Sequence, residues 1–156
     1  MNRALRSEFV SAELSPGLLL WRVTNAWQAA QRAALRPFDL THVQFVLLAT
    51  LTWHHDDHPV TQRQLAEHAG ADPMMTSQVL RSLEAKGLVN RRPHPSDARA
   101  RALTATPAGI DLANQANAAV EQVDRDYFAA LGQDRAAFTR MLAQLTHRRA
   151  RPRPDD

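Results

Sequence analysis

Four side chains between residues 74 and 81 offer the chemistry that reads a nucleic acid. Met74, Ser77, Gln78 and Arg81 recur at i, i+3, i+4 and i+7, the spacing of one face of an α-helix. A glutamine amide can pair with N6 and N7 of adenine, an arginine guanidinium with O6 and N7 of guanine or with a phosphate, and a serine hydroxyl with a phosphate. A methionine thioether can lie on a thymine methyl. All four are also common surface residues, so this face alone does not separate a base reader from a solvated helix. The next segment adds a second feature. Arg91, Arg92, Arg99 and Arg101 border or belong to the stretch HPSDAR, where Asp97 stands two residues before Arg99. A long cation at the tip of a hairpin can enter a minor groove and sense its negative potential. Residues 78–101 carry six cations against two carboxylates, a net +4, while the whole chain is +3, so the remainder sums to −1. That concentration is the electrostatic footprint of a nucleic-acid binder, and a hairpin charged only for solubility has no need of it.

A second cluster, HHDDH at 54–58, has the residue types of a divalent-metal site. His54, Asp56 and His58 are its candidate ligands. Adjacent histidines and aspartates in a polar loop before a proline are more often merely hydrated, and a structural or catalytic zinc site usually needs three or four convergent protein ligands with second-shell support. No metal and no cofactor is therefore expected. The chain has no cysteine, which excludes disulfides, thiolate metal sites and thiol oxidation sensing. Nucleophile elbow, phosphate-binding glycine loop and HExxH motif are all missing, so an enzyme is disfavoured; a metal-dependent hydrolase would have to rest on the HHDDH loop. The remaining rival, a winged helix serving as a protein-interaction scaffold, leaves the +4 unexplained.

These side chains need elements to hold them. Thr61 with Gln64 reads as a capping box, Leu65, Ala66 and Ala69 give a short helix an apolar face, and Gly70 ends it. Asp72 and Pro73 then start a second helix that runs to about Lys86 and stops at Gly87. Its inner face is Thr76, Val79, Leu80 and Leu83. Two short strands, 88–92 and 100–104, make a β-hairpin wing. Upstream, Ser15 and Pro16 begin a helix to about Arg36, after a frayed stretch of 14 residues, with Leu20, Val23, Trp27, Ala30 and Ala34 forming a seam for another helix. Thr41 caps the next helix, in which Val43, Val46, Leu47, Thr50 and Leu51 form a core stripe. Downstream, Thr106 and Pro107 open a long helix to about Leu131, closed by Gly132, with Ala113, Ala116, Val120, Val123, Tyr127 and Ala130 on one side. A last helix, 134–148, carries Phe138, Met141, Leu142 and Leu145. The Pro-rich tail 149–156 reads as disordered. The fold class is mainly α with a small β-hairpin wing. With 44% hydrophobic residues the chain can build a core, and no apolar run approaches the roughly 18 residues that span a bilayer. A cytoplasmic protein without membrane contact is expected.

The segments LTHVQFVLLATL at 40–51, TQRQLAEHAG at 61–70, LRSLEAKGLV at 80–89, DAR at 97–99 and LTATPAG at 103–109 closely resemble the MarR family of bacterial winged helix-turn-helix transcription regulators. Ala105 is a departure, standing where a larger aliphatic residue is usual. The resemblance covers nearly the whole chain. It implies double-stranded DNA as the partner, Ser77, Gln78 and Arg81 where the recognition helix meets it, and Asp97 and Arg99 as the wing's Asp-x-Arg element with the arginine in the minor groove. It also implies a homodimer. Segments 1–36 and 107–148 would form a helical dimerisation region around the DNA-binding unit 40–106, because two recognition helices must read half-sites about 10 base pairs apart. The expected function is that of a ligand-responsive regulator, a repressor on a pseudo-palindromic operator. The resemblance further implies small aromatic, often anionic, effectors in a cleft between the dimer helices and the winged lobe. Trp21, Trp27 and Trp53 could line such a cleft or could simply be core.

Overall fold

A computed structural model describes residues 6–54, 59–97 and 99–147; the expected tail 149–156 and the candidate ligands Asp56 and His58 lie outside them. Among the described residues six α-helices and three strands follow in order: α1 (Pro16–Leu35), α2 (His42–Trp53), β1 (Val60–Thr61), α3 (Gln62–Ala69), α4 (Pro73–Ala85), β2 (Val89–Pro93), β3 (Arg101–Ala105), α5 (Pro107–Tyr127) and α6 (Arg135–His147). The contacts divide the chain into one unit through Val120 and a second from Glu121.

In the first unit the start signals act as the sequence requires. The Ser15 hydroxyl accepts from Leu18 N at 3.3 Å at the head of α1. Thr41 and Gln44 form a reciprocal capping box on α2, as Thr61 and Gln64 do on α3. Residues 12–14, expected to be frayed, instead form a 3-10 turn before α1. The core is one cluster in which Leu35, Leu47, Leu48, Leu65, Leu80, Leu83 and Leu103 are completely or almost completely buried. On α2 the buried stripe is Gln44, Phe45, Leu47, Leu48 and Leu51, while Val43, Val46 and Thr50 are only half-buried. The buried stripe thus differs from the expected one in including Gln44, whose side chain serves the cap and the neighbouring helix, while Val46 packs at the edge of the core.

The wing is part of a three-stranded antiparallel sheet of order β1-β3-β2, with Val60 opposite Leu103 and Thr61 opposite Ala102. The hairpin register sets Val89 against Ala105, Arg91 against Leu103 and Pro93 against Arg101. Ala105 is buried in this register, so the small residue at the foot of the wing is accommodated. Gly109, Ala113, Ala116 and Val120 form the buried side of α5. On α1 the first two residues of the expected seam, Leu20 and Val23, are exposed, as are Leu19 and Trp21 beside them.

In the second unit α-helical bonding stops at Tyr127, short of the expected Leu131. A run of 3-10 turns, Phe128–Asp134, follows and bends at Gly132, which has φ 50°. The Phe128 ring, at the head of these turns, lies against Tyr127 and Phe138, at 5.3 and 5.8 Å between centres. Met141, Leu142 and Leu145 of α6 are exposed.

Candidate nucleic-acid interface

The helix pair that presents the outward side chains is built from short-range signals. Gly70 adopts the left-handed conformation at φ 63°, which lets the chain leave α3 and enter α4 within a tight turn. Asp72 then caps α4, its Oδ1 accepting from the backbone N–H groups of Met74 and Met75, both at 2.9 Å. Thr76 is fully buried and satisfies its hydroxyl by donating to the Asp72 carbonyl at 2.8 Å. With Thr76, Leu80 and Leu83 buried, the opposite face must look outward. Met74 is 82% exposed, Gln78 and Arg81 are exposed, and Ser77 is half-buried. Arg81 Nε donates to the Ser77 carbonyl at 3.4 Å, a weak contact that leaves most of the guanidinium's donors for a ligand.

Two polar links between residues far apart in sequence hold α4 in place. The Gln44 Nε2 amide donates to Ser82 Oγ at 2.9 Å while its Oε1 accepts from Thr41 N at 2.9 Å. At the end of the helix Lys86 Nζ donates to Asp39 Oδ2 at 2.9 Å and to the Asp39 carbonyl. Asp39 itself sits at φ 50°, the one described non-glycine residue with a positive φ. Sequence reasoning does not place either link in the site. The Thr41-x-x-Gln44 spacing is the available signal for the first, since it marks a capping box.

The arginines of the wing do not act as one group. Side chains alternate along a strand, so Arg91 falls on the face of β2 shared with Val89 while Arg92 falls on the other. The Arg91 side chain is only 22% exposed and its Nε lies 3.7 Å from Glu84 Oε2 on α4. Arg91 is thereby turned toward α4. Arg92, Arg99 and Arg101 are exposed. Asp97, expected at the nucleic acid, holds the wing tip together. Its Oδ1 accepts from Arg99 N at 2.9 Å and its carbonyl from Ala100 N at 3.0 Å, while His94 N donates to the Ala100 carbonyl at 3.1 Å. These bonds close the tip, and Arg99 within it is exposed.

The foot of the wing is stitched to both flanking helices. Gly87, at φ 70°, lets α4 end, and Leu88 N donates to the Leu83 carbonyl at 2.9 Å. Thr106 then donates from its hydroxyl to the Gly87 carbonyl at 2.8 Å and from its N–H to the Leu88 carbonyl at 3.0 Å, and its Oγ1 accepts from Gly109 N at 3.0 Å.

The tryptophans do not converge. Trp21 is 68% exposed and Trp53 87% exposed, so neither is core. Trp27 is half-buried and meets the edge of His42 at 5.1 Å. Six residues apart on α1, Trp21 and Trp27 point about 120° away from each other. Among the described residues no three of His, Cys, Asp and Glu form a group able to hold a metal. Of the HHDDH candidates only His54 is described, and its ring lies against His68 of α3. No described helix is long and apolar enough to cross a membrane.

Comparison with known proteins agrees with this geometry. The sequence profile of the MarR family matches residues 40–100. The uncharacterized HTH-type transcriptional regulator YdcH of Bacillus subtilis is 42% identical over 126 residues, 80% of this chain and 85% of the relative. An HTH-type transcriptional repressor of Mycobacterium tuberculosis is 35% identical over 130 residues, 83% of this chain and 91% of the relative. Among solved structures, CouR from Rhodococcus jostii bound to p-coumaroyl-CoA is 27% identical with a TM-score of 0.80, covering 94% of this chain and all of the other. A mutant MarR from E. coli complexed with operator DNA shares the fold at 24% identity and a TM-score of 0.75, covering 88% of this chain and 97% of the other. The helix-turn-helix of α3 and α4, the hairpin wing and these relatives lead to one assignment: this chain belongs to the MarR family of DNA-binding transcriptional regulators.

Proposed function

We propose that this regulator is a ligand-responsive repressor that binds a pseudo-palindromic operator as a homodimer. The observation that carries the reading is the two-sidedness of α4. Thr76, Leu80 and Leu83 are buried, which commits Met74, Ser77, Gln78 and Arg81 to the outside. That face suits a major groove, with Gln78 and Arg81 reading base edges and Met74 lying on a thymine methyl. Arg99 at the wing tip enters the minor groove, and Arg92 and Arg101 meet phosphates. Arg91 acts from behind, bracing the wing on Glu84. Asp97 acts through the tip it closes.

The exposed apolar residues of α1, and separately those of α6, support the dimer, since both surfaces need cover and a second copy provides it by symmetry. A small aromatic acid or its thioester is the effector class that fits best, as CouR was solved with p-coumaroyl-CoA. The α1 side, where Trp27 meets His42, is the proposed place for it; Trp21, turned away on the same helix, and Trp53, at the far end of α2, have no part. A bound effector acts only through its different affinity for two spacings of the recognition helices. The repressor named among the relatives favours repression.

Fluorescence anisotropy of the full chain against its own upstream intergenic DNA and a scrambled duplex, at several salt concentrations, tests this. Selective binding with a steep salt slope and two chains per duplex is expected, released by an aromatic acid or acyl thioester. Equal, weak binding to the upstream and scrambled duplexes would overturn it.

A further inference from the structure

We propose that His54 and His68 together form a binding site for a borderline divalent transition metal, of the Cu2+, Ni2+ and Zn2+ class. The site does not depend on the regulator reading. It replaces, as the candidate worth testing, a set drawn from the HHDDH run alone.

The two histidines come from different helices. His54 is the C-cap of α2, with its N–H donating to the Thr50 carbonyl at 3.2 Å, and His68 lies in the last turn of α3. Their rings stand 4.7 Å apart between centres with planes 36° from parallel. Two imidazole nitrogens bound to one tetrahedral ion at about 2.1 Å each are about 3.4 Å apart. Two imidazoles that share one ion in this way have ring centres about 5 Å apart, close to the observed spacing. His68 is exposed and His54 half-buried, so an ion can enter while retaining water on its open positions.

The electrostatics favour a cation. His54 caps the C-terminal end of α2 and His68 lies in the last turn of α3, the ends where a helix carries negative partial charge. Nitrogen ligands of this kind suit Cu2+, Ni2+ and Zn2+ and do not suit Mg2+ or Ca2+. A bound ion would bridge the end of α2 to the end of α3. The first helix of the helix-turn-helix would then be fastened to the helix that supports it.

The test is titration of the tag-free full-length chain with CuCl2, NiCl2, ZnCl2 and MgCl2 by isothermal calorimetry. The same experiment is then run on His54→Gln and His68→Gln, whose folding is checked by circular dichroism. One Cu2+ per chain is expected, with Ni2+ and Zn2+ weaker and Mg2+ inert, and each variant should lose at least tenfold in affinity. In the native protein, substoichiometric Cu2+ should broaden the ring signals of these two histidines before those of the others, a readout that needs no folded variant. Absence of binding, binding unchanged in either variant, or first broadening at other histidines would overturn the proposal.

Discussion

Replacing glycine by alanine inside a helix ordinarily stabilises a protein by about 1 kcal/mol. At Gly109 of α5 the sign should reverse. A Cβ there would lie 2.1 Å from the Leu88 carbonyl oxygen, 3.0 Å from its carbon and 3.3 Å from Leu48 Cδ1. The first two neighbours are backbone at the foot of the wing and cannot rotate away. Ordinary contact requires a shift of about 1 Å or more. That shift would strain or break the bond from Thr106 N to the same carbonyl, 3.0 Å long in the native protein. Overpacking of this kind costs about 1–3 kcal/mol. The strained hydrogen bond adds about 1 kcal/mol, which cancels the helical gain. A net loss of about 1–3 kcal/mol corresponds to a fall in Tm of roughly 3–10 °C for a chain of this size. Thermal unfolding followed by circular dichroism, at one fixed chain concentration because a dimer's Tm depends on it, measures the difference. A Gly109→Ala variant that is as stable as the native protein, or more so, would refute the close packing of α5 on the wing root.

Further outcomes follow from the interface. Gln78→Ala should lower operator affinity by about 1–3 kcal/mol and relax preference at one base pair, measured by anisotropy on single-base operator variants. Arg99→Ala should weaken binding to all sequences and reduce the slope of log K against log salt by about one ion; an unchanged slope removes the wing tip from the contact. Gln44→Ala removes a cap bond and the Ser82 link together, and urea unfolding should show a loss of about 1–2 kcal/mol. Leu20→Glu combined with Leu145→Glu should shift the protein toward monomer in analytical ultracentrifugation; an undisturbed dimer would place the interface elsewhere.

The legible parts of the fold are those written in neighbouring residues. Thr61 with Gln64, Gly70, Asp72 with Pro73, and Gly87 each act within a few positions, and each lies where the local chemistry requires. The outward face of α4 is legible for the same reason, since its buried side obeys the helical repeat. β1 is not, because two residues have no periodicity and Val60 and Thr61 are strand only through their partners on β3. A search for apolar residues misplaces the stripe on α2 because it passes over Gln44, a buried amide that is satisfied by contacts on two sides. Charge alone groups Arg91 with the other wing arginines. Alternation along β2 already separates it from Arg92, but its partner Glu84 becomes visible only when the hairpin folds back on α4. The tryptophans give the weakest signal, since nothing local tells a core indole from an exposed one.

Thr61 has two duties, pairing with Ala102 in the sheet and capping α3. The pairing encloses the whole of α3, α4 and β2, whereas the hairpin of β2 and β3 and the turn between α3 and α4 are closed by nearby residues. Loop-closure entropy therefore favours an order in time, with the local pieces assembling first and the β1–β3 ladder, which closes the longest loop, after them. A chain emerging from the ribosome cannot complete its recognition unit until β3 has been made, and until then the start of α3 has its cap but not its strand.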